Sequence, residues 1–111
     1  MTATLPQDKK LTILFRVEPG SLGPDGKEQA QGFCDHSQQQ LAALDADFIC
    51  WQIIPRFDKT LPELEYKLSN KRLTRPQAQK YLSVFGQDID EIEDHLISEM
   101  DNLITRHQAS L

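Results

Sequence analysis

One stretch limits what this chain can fold into: Phe48-Ile49-Cys50-Trp51-Gln52-Ile53-Ile54, in which Gln52 is the single polar residue. Asp47 stands before it and Pro55 closes it. A short apolar run between breakers, rich in β-branched and aromatic types, predicts a buried central strand. The run holds the chain's only tryptophan, and the rest of the chain is expected to cover it. A strand that is apolar on both faces needs cover on both.

Upstream, Leu11, Ile13, Phe15 and Val17 alternate with Thr12, Leu14, Arg16 and Glu18. That period of two predicts a strand with one strongly apolar face, ended by Pro19-Gly20. Residues 18–26 follow with three glycines and two prolines, which specify turns rather than regular structure. A glycine-rich loop between a strand and a helix invites comparison with a phosphate cradle. The phosphate-loop motif requires a fixed glycine spacing followed by Lys-Ser/Thr, whose hydroxyl binds magnesium. Here Gly20 and Gly26 stand one residue too far apart, Glu28 occupies the hydroxyl position, and Glu18 and Asp25 would repel phosphate. A surface connection is the better reading.

Residues 27–44 read as a helix, with Ala30, Phe33, Cys34, Leu41 and Leu44 on one face and Lys27, Gln31, Asp35, Gln38 and Gln39 facing away. Asp25 suits the N-cap, and Gly32 weakens the middle by about 1 kcal/mol relative to alanine. Glutamines 38–40 suit a helix and carry no functional reading. A helix joining two strands predicts a parallel pair with a right-handed crossover.

Beyond a loop fenced by Pro55 and Pro62, Leu64, Tyr66 and Leu68 alternate with Glu63, Glu65, Lys67 and Ser69. This predicts a third strand, reversed at Ser69-Asn70 with a short return through Arg72-Leu73. The competing reading is a helix over 62–70, since Leu61, Leu64 and Leu68 also fit helical spacing. Thr74-Arg-Pro-Gln77 has the form of a capping box. Ala78, Tyr81, Leu82 and Phe85 continue a helical face until Gly86. Asp88 or Asp90 then caps a last helix carried by Ile89, Ile92, Leu96, Met100, Leu103 and Ile104. Its acidic first turns, and Arg106 and His107 at the far end, complement the helix dipole. The expected fold is a single α+β domain over 1–111 in the order β-α-β-β-α-α. It has a three-stranded sheet packed by helices, with residues 1–9 as a frayed tail.

At 111 residues the chain can bury one core without metals or disulfides. A net charge of -5 argues against sequence-blind nucleic-acid binding by the whole surface. No run approaches the length of a membrane span, and no apolar segment follows the N-terminal charges as in a signal peptide. The two cysteines, each in an apolar segment, read as buried reduced thiols in a cytoplasmic protein, although spacing leaves a Cys34–Cys50 disulfide open.

Charge asymmetry is the least generic feature. Residues 56–80 carry a balance of +4 and residues 81–111 a balance of -6. Lys67, Lys71, Arg72, Arg75 and Lys80 form the candidate partner-binding stretch, able to meet phosphates or an acidic partner. The plainer expectation is that they face the acidic last helix, within the chain or across a dimer. His95 has Glu91 and Glu99 one turn away, but nothing completes a metal's ligand set, so ion pairs are expected there. Asp35-His36-Ser37 are neighbours on a helix and point about 100° apart, which forbids a catalytic relay.

No catalytic or cofactor signature stands out. The expected function is therefore a non-enzymatic protein-interaction or regulatory module, homodimeric, cytoplasmic, and without cofactor or metal. Two alternatives remain: nucleic-acid binding through 67–80, and a small-molecule or enzymatic role at the glycine-rich loop 18–27.

Overall fold

A computed structural model describes residues 5–109. Strand β1 (Leu11–Val17) leads through helix α1 (Gly26–Leu41) to β2 (Ile49–Pro55), and the hairpin β3 (Leu64–Leu68) and β4 (Lys71–Leu73) follows. Helices α2 (Arg75–Ser83) and α3 (Ile89–Ala109) complete the α+β fold. The sheet has four strands in the order β2-β1-β3-β4, one more than expected, because the short return at 71–73 pairs fully with β3. Strand β1 runs parallel to β2, with Leu11 beside Ile49, and antiparallel to β3, with Ile13 beside Tyr66.

The inner strands are β1 and β3. The run 48–54 lies at the sheet's edge, a correction with a physical cause. Ile49, Trp51 and Ile53 are buried beneath the helices, whereas Cys50 and Ile54 are half-buried on the opposite face and Gln52 is exposed. The outer edge is covered by a side chain. Gln38 of α1 donates to the Trp51 carbonyl at 2.6 Å and accepts from the Ile53 amide at 2.8 Å. The Trp51 indole in turn donates to the Leu44 carbonyl at 2.7 Å. An edge that would otherwise present free peptide groups is thus closed from within the chain.

All three helices pack on one face of the sheet. Leu11, Ile13, Val17, Ile49, Trp51, Ile53 and Tyr66 share a single core with Leu22, Phe33, Cys34 and Leu41, and with Leu82, Ile92, Leu96 and Met100. By alternation, Thr12, Leu14 and Arg16 point the other way, beside Gln52, Glu65 and Lys67. On that helix-free face Leu14 is buried among its neighbours but stands apart from the helix-side core. Arg16 and Glu65, 7% and 8% exposed, form an ion pair at 2.8 Å. Arg16 also donates to the Pro62 carbonyl at 2.7 Å.

Ser69 and Asn70 both have positive φ, 51° and 67°, so the β3–β4 turn takes the mirror-image form whose twist suits a hairpin. That geometry settles 62–70 as strand and turn rather than helix. Thr74 and Gln77 form the expected capping box. Gly86, at φ 72°, ends the α2 segment, and the Asp88 carboxylate accepts from the Asp90 amide to start α3. Asp25 sits at the N-cap of α1, but its carbonyl rather than its carboxylate accepts from Glu28 and Gln29. The expected tail needs correcting as well. Residues 1–4 lie outside the described residues, whereas Leu5 bonds to the Asp47 carbonyl and Gln7–Lys9 form a 3-10 turn.

Candidate functional site

Because β1 and β2 are parallel, both deliver their carboxyl ends to the same side of the domain. In open α/β sheets that is where ligands bind. Two loops leave there, 18–25 after β1 and 56–63 after β2, and the Arg56 amide clasps them by donating to the Val17 carbonyl at 2.8 Å. The first loop is held by its own geometry. Leu22 is fully buried beneath it, and Gly23 adopts φ 108°. At Gly26 an added Cβ would lie 1.8 Å from the Pro19 carbonyl oxygen, so only glycine lets the loop close against the start of α1.

The second loop is shaped by Asp58, whose carboxylate accepts from the Thr60 hydroxyl at 2.6 Å and the Thr60 amide at 3.0 Å. These bonds hold the Asp58 carboxyl below its usual range. Arg56 donates to the Leu61 and Lys59 carbonyls, fixing the loop's return. Between the loops lies a cleft of about 560 Å³, within the size range of ligand sites. Glu18, Asp25 and Glu28 balance Lys27, Arg56 and Lys59 around it. Glu18 lies 3.8 Å from Arg56 and 3.7 Å from Lys59, too loose for tight pairing. Phe57 stands on the rim with 61% of its surface exposed.

The glycine loop was legible in the sequence as a connection of unusual composition. Its opposite wall carries no comparable composition. The signal was there in Phe57, a large apolar residue in a loop otherwise rich in charge and proline.

The five basic residues of 67–80 do not converge. Lys67 and Arg72 are cross-strand neighbours on the helix-free face, with Arg72 at 3.9 Å from Glu65. Lys71 pairs in register with Leu68 and belongs to the other side of the hairpin. Arg75 opens α2 and meets the acidic helix, with Nε 3.0 Å from Glu93 and its guanidinium also on Asp90. Lys80 is exposed on α2. The expected meeting of basic stretch and acidic helix is thus made by Arg75. Glu93 also accepts from the Tyr66 hydroxyl at 3.2 Å, and burial, then the Glu93 charge, pushes that phenol up to about 12.

His95 pairs across the fold with Asp45 at 2.9 Å, and this hydrogen bond raises its pKa. Ser37 is buried while Asp35 and His36 are exposed, so the three do not form a relay. Cys34 is fully buried on the helix side, and burial, then Asp35, pushes its thiol up to about 12. Cys50 lies on the other face, where it accepts from Gln7 at 3.0 Å, and both cysteines are free. Among the described residues, no group of three His, Cys, Asp or Glu side chains is arranged to hold a metal. No helix there is long and apolar enough to cross a membrane.

No protein-family model matches this chain, and neither a curated protein nor a solved structure matches it.

Proposed function

We propose that this chain is a non-enzymatic interaction domain that holds a segment of another protein in the cleft between its 18–25 and 56–63 loops. The observation that carries this reading is the cleft's position at the carboxyl ends of two adjacent parallel strands, with Phe57 exposed on its rim. The balanced lining supports a peptide over a phosphate-rich ligand. Glu18 and Lys59 suit the amide and carbonyl groups of an extended chain, and Phe57 offers an apolar contact. The reading carries a cytoplasmic setting, supported by two free cysteines on opposite sides of the sheet.

The test is photo-crosslinking in cells of the source, with a benzoylphenylalanine in place of Phe57 and, as control, in place of Val84, which is 75% exposed elsewhere. A discrete protein adduct at position 57 and none at 84 is expected. Equal adducts at both positions, or none at 57, would sink the proposal. A small molecule bound in the cleft instead would leave position 57 free of protein adducts and move the reading to the glycine loop as a metabolite site.

Homodimerisation belongs to the same proposal, and the helix-free face is the surface that suits it. Gln38 occupies the β2 edge, and the apolar stripe of α3 packs into the core. A single monomeric species in sedimentation at high concentration would remove the dimer from the proposal.

A second reading rests on its own observation, the cross-strand pair Lys67 and Arg72 on that same face. It takes nucleic acid as the partner. Two phosphate contacts imply a log–log salt slope of about -2, lost on Lys67→Glu plus Arg72→Glu. Binding insensitive to salt and to both changes would exclude it.

A further inference from the structure

Helices α1 and α3 leave a second groove between them, of about 580 Å³, close to the first loop, since Gln108 beside it donates to the Ser21 carbonyl at 2.7 Å. Its floor is Phe33 and Leu103, and its walls are Gly32 on one helix and Arg106 and His107 on the other. Three observations point to a ligand. The first is Gly32. It lies mid-helix without positive φ, and an added Cβ would meet no atom within 4 Å. Neither backbone geometry nor internal packing calls for a glycine there, although glycine weakens a helix. What its missing side chain provides is open space along the groove.

The second observation is charge. Among the described residues, no carboxylate lines the groove, in a protein of net charge -5. Among the described residues, Arg106 is the one arginine of five that makes no ion pair. Arg106 also suits the carboxyl pole of α3, which accounts for its charge but not for the glycine opposite it. The third is rigidity. The His107 ring is clamped by a 2.8 Å hydrogen bond to Gln29 and by edge-on contact with Phe33 at 5.2 Å. A wall held this way is preorganised for a ligand.

We propose that this groove binds an organic anion with a flat apolar body, an aryl carboxylate or sulfonate. The anionic group meets Arg106, and the ring system lies over Gly32 against Phe33 and Leu103. The charged group supplies orientation and the apolar floor supplies area, as in small-ligand sites generally.

The test uses 8-anilinonaphthalene-1-sulfonate as the probe, with 2-naphthoate as competitor. Wild-type protein is expected to bind the dye saturably at one site and to release it to naphthoate. Gly32→Leu should weaken binding at least tenfold while raising Tm by about 4 °C, since leucine is the better helix former. Arg106→Glu should weaken it comparably, and Arg106→Lys should retain most of it. A merely structural glycine would give a lower Tm on substitution, the opposite sign. Undiminished dye binding by Gly32→Leu, or no saturable binding by wild type, overturns the proposal.

Discussion

The side-chain amide of Gln38 meets the backbone of Trp51 at 2.6 Å and thereby stands in for the peptide group of a missing neighbouring strand. The same amide accepts from Ile53, so one residue satisfies a donor and an acceptor on the outward edge of β2. An edge strand this apolar would otherwise be a template for pairing with other chains.

Gln38→Ala is expected to destabilise the fold by about 2 kcal/mol, one unit for each lost hydrogen bond. It should also make the protein self-associate as concentration rises. Urea denaturation measures the first effect and sedimentation velocity the second. A variant as stable and as dispersed as wild type would show that the edge needs no cover.

The buried pair Arg16–Glu65 behaves differently when one partner is lost than when both are. Arg16→Met should cost about 3 kcal/mol, because Glu65 keeps a charge in a desolvated place with only the weaker contacts of Arg72 and Lys67 to offset it. Arg16→Met with Glu65→Leu should recover most of that loss. Burial raises the Glu65 pKa, but the Arg16 hydrogen bond and the surrounding cations outweigh it, and the net shift is downward. The pair's contribution is therefore present above the ordinary value of 4.5 and is lost as pH falls through the depressed one. Acid titrations of wild type and the double variant, compared by circular dichroism, should agree above that window and separate below it, where only wild type loses the pair's contribution.

His95 gives the opposite slope. Its hydrogen bond to Asp45 raises its pKa, so its contribution is complete below the ordinary value of 6.5 and fades as pH rises through the raised one. The Tm gap between wild type and His95→Gln should be widest in mildly acidic buffer and close towards pH 9. A gap that grows with pH would contradict the pairing.

The thiols should separate kinetically. Cys50, half-buried on the helix-free face, is expected to react with a maleimide in the folded protein. Cys34, fully buried and with its thiol pushed up to about 12, should react only on unfolding. Mass spectrometry of the labelled peptides distinguishes the two. Rapid labelling of Cys34 under native conditions would argue for local opening of α1.

Most of the local structure was legible because it is written in short-range rules. The alternation over 11–17, the Thr74–Gln77 capping box and the Asp88 start of α3 each depend on residues within a turn or two. The placement of 48–54 was not legible for the same reason. An apolar run predicts cover on both faces, yet only the Ile49, Trp51 and Ile53 face is buried, and the run does not say whether its edge meets another strand or a glutamine reaching over from α1. Gln38 reads as one of three interchangeable helix residues until the crossover sets it beside Trp51. The cleft was half legible. Its glycine loop is conspicuous, whereas Arg56 and Phe57 become its other wall only because β1 and β2 end together. Replacing Gly23 and Gly26 with alanine would not spare the fold. Gly26 is held against the Pro19 carbonyl, and Gly23 sits at φ 108°.

The position of β1 has a bearing on how the protein comes to be made. Strand β1, one of the two inner strands, is the first of the four to be synthesised, yet Leu11 waits for Ile49 and Ile13 for Tyr66 before either can pair. At cellular translation rates that interval is on the order of seconds, far longer than α1 needs to form. Throughout it, the nascent chain offers the most apolar side of β1 with no strand partner, a segment open to a chaperone at the ribosome exit until Ile49 and Tyr66 have followed.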